Sequence, residues 1–239
     1  MEHRDFLSIR DLSADEIEQV FERAEIFKHK GPERTLSGKS VVLLFEKPST
    51  RTRVSFEVGV ARLGGHPVVL GVEGSQIARG EPLRDTARTL SGYCDAVVMR
   101  TFGHDRIEEM ARWAWVPVVN ALTDLLHPCQ VLSDCFTLKE RFGDLAGRKI
   151  AWIGDGNNMA NSWINASRVF GFELVLACPE GYDPERAVME TARGEGARVS
   201  VVRDPREAVR GALAVNTDVW ASMGQEEEAE ERRRVFSAY

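Results

Sequence analysis

Residues 41–53 read Val41-Val42-Leu43-Leu44-Phe45-Glu46-Lys47-Pro48-Ser49-Thr50-Arg51-Thr52-Arg53, and the change of character along this stretch decides the fold. Five consecutive apolar residues suit a strand buried on both faces, as the strands of parallel sheets are. Pro48 and the hydroxyl residues after it punctuate the run. An amphipathic stretch over 52–63 follows, and then a second short strand over 68–70. Strand, helix, strand is the βαβ unit, whose parallel strands need a covering helix.

Working outward, the same rhythm recurs on both sides. Upstream, Ser13 and Glu16 form a capping box, and Ile17, Val20, Phe21, Ala24 and Phe27 repeat at helical spacing until Gly31-Pro32 stops them. Downstream, the pattern predicts a helix over 82–93, a strand over 96–99, a helix over 106–115, a strand over 117–120 and a helix over 130–142. Residues 143–148 break the pattern, and a strand over 149–153 opens a second series. Strands over 174–177, 199–202 and 213–215 then alternate with helices over 159–170 and 184–194. The fold class is α/β, in two tandem domains, each a mainly parallel sheet flanked by helices. The first spans 1–142, with 130–142 as an inter-domain helix, and the second spans 148–239. The segment 225–234 runs acidic then basic, which suits either a helix whose ends complement its macrodipole or a solvated face.

The totals bound the function. A chain of 239 residues, 43% hydrophobic, has enough apolar content for one large or two modest cores. A formal net charge of −6 argues against nucleic-acid or anionic-membrane partners, which are met by excess basic charge. An anionic ligand must therefore be held by a local cluster. Cys94, Cys129, Cys135 and Cys178 are too irregularly spaced for a zinc pattern and contain no C-x-x-C pair, so no metal is expected. The first residues are charged throughout, unlike a signal peptide, and no apolar run reaches membrane-spanning length. The reading is a reduced, cytoplasmic protein.

Chemistry concentrates where the quoted stretch leaves its strand. Free N–H groups and the positive end of a helix dipole lie there, with hydroxyls from Ser49, Thr50 and Thr52 and the guanidinium groups of Arg51 and Arg53. A phosphate calls for this density of donors. The same residues also allow a plainer reading, hydroxyls capping a helix whose arginines face solvent. Arg100 and His127 each fall just past the C-terminal end of a predicted strand, where ligands of open α/β sheets gather. The Gly154-Asp155-Gly156-Asn157-Asn158 segment is no dinucleotide fingerprint: a third glycine is missing and no acidic residue closes the 174–177 strand.

Ser-Thr-Arg-Thr-Arg at 49–53, Met99-Arg100-Thr101 and His127-Pro128-Cys129-Gln130, in that order, resemble the motif set of the aspartate and ornithine carbamoyltransferase family. The resemblance covers nearly the whole chain. It implies a first domain that binds carbamoyl phosphate, with Ser49, Thr50, Arg51, Thr52 and Arg100 on its phosphate and carbonyl. It also implies His127 on the carbonyl oxygen and Gln130 on the NH₂ group, with Pro128 and Cys129 in the same segment. Arg51, Arg100 and His127 are the implied catalytic residues, and Arg53 the structural one. The loop 74–81 resembles the loop that reaches into a neighbouring subunit's site, which implies a homotrimer, or a multiple of trimers, with Gln76 contributed across the interface.

Gly-Asp-x-Asn-Asn at 154–158 and Asp218-Val219-Trp220-Ala221-Ser222-Met223-Gly224 resemble the ornithine branch. They imply that Asn158, Asp218, Ser222 and Met223 hold the amino acid, Asp218 facing its α-ammonium. Read alone, Asp218 also suits a turn after a strand, and Met223 an ordinary core residue. The implied activity is carbamoyl transfer to the δ-amine of ornithine, giving citrulline and phosphate, with no cofactor. A relative acting on putrescine or an acylated ornithine, or an inactive shortened binding protein, are the alternatives. Family members continue with a further strand bearing a His-Cys-Leu-Pro motif and a last helix. The resemblance therefore predicts that the cysteine flanking the δ-amine lies outside these 239 residues, and that they alone are not a competent catalyst.

Overall fold

The apolar run at 41–45 becomes β1 (Ser40–Phe45), and it pairs in parallel with β2 (His66–Gly71) on one side and β3 (Ala96–Arg100) on the other. With β4 (Val118–Leu122) the order is β2-β1-β3-β4. The structure, a computed structural model, describes residues 3–72, 75–220 and 228–239. Four helices belong to this sheet's unit: α1 (Ala14–Lys30), α2 (Arg51–Arg62), α3 (Leu83–Ser91) and α4 (His104–Trp113). Alternate residues of β1 feed opposite layers. Val42 and Leu44 pack with Val97, Met99, Ile107 and Met110, whereas Val41 and Leu43 pack with Val98 and Val60. A strand apolar at every position is thus explained by helices on both faces.

Local chemistry sets the ends. Ser13 caps α1 by accepting from the Glu16 N–H at 3.3 Å, and the Glu16 carboxylate accepts from the Ser13 N–H at 2.8 Å, the capping box expected. β2 is longer than the predicted 68–70 because it accommodates Pro67, which an edge strand tolerates. The outer side of β4 is covered by the chain's beginning. Phe6 bridges Val119 in parallel, its N–H donating to the Val118 carbonyl at 2.8 Å and its carbonyl accepting from the Asn120 N–H at 2.8 Å.

The second unit repeats the plan. After α5 (Pro128–Phe142) come β5 (Lys149–Ile153), α6 (Asn158–Phe170), β6 (Glu173–Ala177), α7 (Arg186–Gly194), β7 (Arg198–Val202), α8 (Pro205–Val209), β8 (Ala214–Thr217) and α9 (Ala229–Phe236). All four strands are parallel, in the order β7-β6-β5-β8. The compact division falls between residues 129 and 130, before most of α5 rather than after it. On its inner side α5 presents Thr137 and Leu138 to a cavity shared with Ile150 and Trp163.

Each sheet has one point where chain order reverses. From β1 the chain moves outward to β2 and returns to β3 on the other flank of β1; from β5 it moves out through β6 and β7 and returns to β8. Helices leave such neighbouring strands on opposite faces, and a crevice opens at their C-terminal ends. In the first unit that crevice lies between residues following Phe45 and Arg100. In the second it lies between residues following Ile153 and Thr217.

Candidate active site

Both crevices are occupied by the residues singled out in the sequence. In the first, Thr50 stands at the N-cap of α2 but its side chain makes no capping bond. The plainer reading as a cap therefore does not hold for Thr50, and the N-terminus of α2 has no side-chain cap from its N-cap residue. Three cations lie between residues 46 and 53, and they differ in what meets them. Lys47 pairs with Asp124 and lies 4.5 Å over the Phe102 ring. Arg53, on the exposed flank of α2, is 3.6 Å from Glu57. Arg51 has no ion pair among the described residues.

Arg100, the last residue of β3, is 6% exposed. Its Nη1 donates to Thr52 Oγ1 at 3.3 Å, and its buried Nε has no partner. No carboxylate pairs with it among the described residues. Burial first, and then the like charge of Arg51, push its pKa down from the ordinary guanidinium value. Two guanidinium groups close enough to repel, one of them buried, make a site short of negative charge. Register contributes to the aim of the side chain: the β3–β4 pairing shifts between Met99 and Arg100, so that Met99 faces Asn120 but Arg100 faces Leu122. Such a bulge re-aims the residue beside it.

His127 follows β4. Burial, and secondly the Arg100 charge, hold its pKa at about 4, so the imidazole is neutral at pH 7. A neutral ring donates one N–H to a carbonyl oxygen without adding a third positive charge. Pro128 opens α5, where its missing N–H costs nothing. Cys129 is turned inward, its Sγ donating to the Asn120 carbonyl at 3.3 Å, and burial pushes the thiol up to about 12, so it is no nucleophile. Gln130 donates from Nε2 to Asp134 Oδ1 at 2.8 Å, which leaves Oε1 to accept from an NH₂ group. Gln76 stands exposed at the start of a single 3-10 turn, Gln76–Arg79.

In the second crevice the residue between Asp155 and Asn157 must be glycine. A Cβ on Gly156 would lie 2.2 Å from the Asp183 carbonyl carbon and from the Pro184 nitrogen. This close approach delivers Asn157 to the N-cap of α6, where its Oδ1 accepts from the N–H groups of Met159 at 2.9 Å and Ala160 at 3.2 Å. Its Nδ2 donates to Asp218 Oδ2 at 3.0 Å, and Asp218 Oδ1 accepts from the Val219 N–H at 2.7 Å. Asp218 thus keeps a fixed orientation without any cationic partner among the described residues. Asn158 is the first residue of α6, beside the cap rather than on Asp218. Ser222 and Met223 lie outside the described residues, as does Gly74 of the 74–81 loop.

Three groups at these sites carry no role in the reading of the sequence. Glu46 accepts from Arg106 and Thr101, Asn157 orients Asp218, and Arg232, 6% exposed, donates to Asp155 Oδ2 at 2.8 Å from α9. Only Asn157 carries a local signal, an Asn directly before a helix. The partners of the other two lie 60 and 77 residues away.

Fold and site together define an open α/β protein of two units, one setting a buried guanidinium beside a second at the end of β3 and the other an oriented carboxylate just past β8. The family described as aspartate/ornithine carbamoyltransferase, carbamoyl-P binding domain, matches residues 4–140, and its companion, the Asp/Orn binding domain, matches residues 146–239. The chain belongs to the aspartate/ornithine carbamoyltransferase family. Among its relatives are an ornithine carbamoyltransferase of Geobacter sulfurreducens, 52% identical over 241 residues, and one of Methanoculleus marisnigri, 51% identical over 240 residues. These matches take in 99% of this chain and 80% and 78% of the relatives. Among solved structures, the ornithine carbamoyltransferase from Pyrococcus furiosus is similar with a TM-score of 0.91 at 46% identity, over 98% of this chain and 77% of that one.

Proposed function

We infer that the protein transfers the carbamoyl group of carbamoyl phosphate to the δ-amine of L-ornithine, giving L-citrulline and phosphate. The observation that carries the first half is Arg100, a buried guanidinium that no carboxylate pairs among the described residues, beside Arg51 and a helix N-terminus without a side-chain cap from its N-cap residue. The relatives at about half identity, named for ornithine, support the second half.

Carbamoyl phosphate sits with its phosphate on Ser49, Thr50, Arg51, Thr52 and the first N–H groups of α2, and Arg100 spans phosphate and carbonyl oxygens with its fork. His127 donates to the carbonyl oxygen and Gln130 Oε1 accepts from the NH₂ group. The second unit holds ornithine by its amino-acid end, Asp218 on the α-ammonium with Asn158, Ser222 and Met223 around it. The attacking amine must be neutral, and at a pKa near 10.4 only about one part in 2,500 is neutral at pH 7, a cost of about 4.6 kcal/mol. Removal from water and the cationic surroundings both lower that cost. The nitrogen lone pair then adds to the carbonyl carbon, the oxygen takes negative charge facing Arg51, Arg100 and His127, and the C–O bond to phosphorus breaks with its electron pair leaving on phosphate. The amine nitrogen gives up one proton to the departing phosphate. Holding the two substrates in line supplies much of the remaining acceleration.

No helix among the described residues is long and apolar enough to cross a membrane. We place the enzyme in the cytoplasm, as a homotrimer or a multiple of trimers in which Gln76 completes a neighbour's site.

Offered ornithine, putrescine and aspartate in parallel with carbamoyl phosphate, the protein carbamoylates ornithine best, and Asp218→Asn loses that preference with little change in fold. Product analysis by mass spectrometry reads both results. A preference for putrescine or aspartate overturns the assignment of the acceptor.

A further inference from the structure

Thr123 is the residue after β4, fully buried, and its side chain closes the turn that delivers His127. Its N–H donates to the Leu126 carbonyl at 2.8 Å, and its Oγ1 accepts in return from the Leu126 N–H at 3.1 Å. Leu126, itself buried, immediately precedes His127. The first half of the turn is held from two sides. The Asp124 N–H donates to the Phe102 carbonyl at 2.8 Å, and the Asp124 carboxylate pairs with Lys47 from the segment after β1. The second half, which runs into His127, depends on where the Thr123 hydroxyl oxygen sits.

A hydroxyl has one proton and two lone pairs, and one lone pair of Oγ1 here takes the Leu126 N–H. His104, the first residue of α4, meets what is left. Its Nδ1 lies 3.0 Å from Thr123 Oγ1, and in either tautomer the two are joined by one hydrogen bond: a bare Nδ1 accepts the hydroxyl proton, and a protonated one donates to the second lone pair. The hydroxyl's contact with the Leu126 carbonyl is longer, 3.4 Å, and that carbonyl already accepts from the Thr123 N–H. The start of α4 is thus tied to the residue on which the turn after β4 is folded.

We propose that His104 is a positioning residue for His127: its hydrogen bond holds the Thr123 hydroxyl where it accepts from the Leu126 N–H, and so fixes the turn that aims the imidazole. This rests on the reading that His127 donates to the carbonyl oxygen of carbamoyl phosphate. Under the same reading the phosphate end is held elsewhere, by residues 49–52 and Arg100. A loosened turn therefore weakens the donor that meets the carbonyl oxygen as it takes charge, which lowers kcat and leaves KM for carbamoyl phosphate little changed.

The test compares His104→Leu with His104→Asn. Both side chains fork at Cγ as the imidazole does, but Asn alone sets a polar atom in the place of Nδ1. In His104→Leu, kcat falls about threefold to tenfold, the worth of one hydrogen bond, while the calorimetric affinity for inorganic phosphate stays within about twofold of the parent. His104→Asn regains kcat to within about twofold of the parent. Thr123→Val loses at least as much as His104→Leu, and combining the two adds little, because both act through one contact. An NMR titration of the His127 ring gives a reading independent of turnover. A loosened turn admits water, so the ring titrates higher by about half a unit or more in His104→Leu and as in the parent in His104→Asn. Parent-like kcat in His104→Leu overturns the proposal, as do an Asn variant no better than the Leu variant and losses that simply add in the double variant. A parallel loss of phosphate affinity also overturns it, since the pair is then a brace for the whole first unit. If His127→Gln turns over at the parent's rate, the role of His127 falls and this inference with it.

Discussion

Replacing Arg100 by Met separates what this residue does for the ligand from what it costs the empty protein. In the absence of ligand, Arg100 is a 6%-exposed cation, with a like charge beside it and one side-chain hydrogen bond, at 3.3 Å, among the described residues. An unpaired charge taken out of water carries a penalty of several kcal/mol, reduced here because the crevice is open to solvent at Arg51. Met keeps most of the aliphatic packing, so Arg100→Met is expected to stabilise the empty protein by about 1–3 kcal/mol, a rise in Tm of roughly 2–10 °C for a chain of this size. With phosphate at about a thousand times its Kd the parent gains about 4.1 kcal/mol by mass action, more than the variant's advantage, and the variant gains almost nothing. The order of melting temperatures therefore reverses between buffer and saturating phosphate. Differential scanning calorimetry of the two proteins in both conditions reads this directly. If Arg100→Met melts below the parent without ligand, Arg100 is holding the fold together, and its role as a charge kept waiting for an anion is refuted.

Arg51→Lys retains charge but loses the planar fork, and carbamoyl transfer is expected to fall by about two orders of magnitude or more with an unchanged circular dichroism spectrum; near-normal turnover removes Arg51 from the site. For His127 the folded pKa of about 4 lies below the 6.5 of an ordinary imidazole, so the unfolded chain binds a proton in that interval that the folded chain refuses. Stability should thus be level above about pH 6.5 and decline as pH falls toward about 4, by at most about 3 kcal/mol from this group, and urea titrations of His127→Gln should show a correspondingly shallower decline. Gly156→Ala drives a Cβ into backbone rather than into a flexible side chain, with an expected loss of about 1–3 kcal/mol in chemical denaturation and a higher KM for ornithine as Asn157 and Asp218 shift; a neutral outcome refutes the close approach.

The parts of the fold that were legible were those in which a single stretch carries its own signal. The run 41–45 and its counterparts at 96–99, 149–153 and 174–177 are apolar at nearly every position because both faces of the sheets are covered, and each corresponds to a strand within a residue or two. Ser13 and Glu16 sit three apart because each satisfies the other's backbone, so the start of α1 could be read from two letters. By contrast, α8 is five residues long, too short to display a period, although Asp204 ahead of Pro205 marks its beginning. The sites divide in the same way. Residues 49–52 and Arg100 could be placed at strand ends from the pattern, and the open α/β plan says that strand ends are where ligands go. That no carboxylate among the described residues pairs with Arg51 or Arg100 could not be read, because it depends on Glu46, Glu57 and Asp124 finding other partners. The pairing of Glu46 with Arg106 spans 60 residues and exists only once β1 and β3 lie side by side.

The bridge between Phe6 and Val119 has a bearing on how the protein is made. Val118 also donates its N–H to Asp5 Oδ1 at 2.8 Å, and Asn120 Nδ2 donates to the Leu7 carbonyl at 2.9 Å, in each case across 113 residues. Residues 5–7 therefore have no place to bind until β4 has followed them out of the exit tunnel. At about 5–20 residues per second that delay is on the order of 6–20 s, far longer than a helix or hairpin takes to form. During it, the nascent first unit carries both a loose segment around Phe6 and, until β4 arrives, an uncovered β3 edge, the combination that invites pairing between neighbouring chains on a polysome.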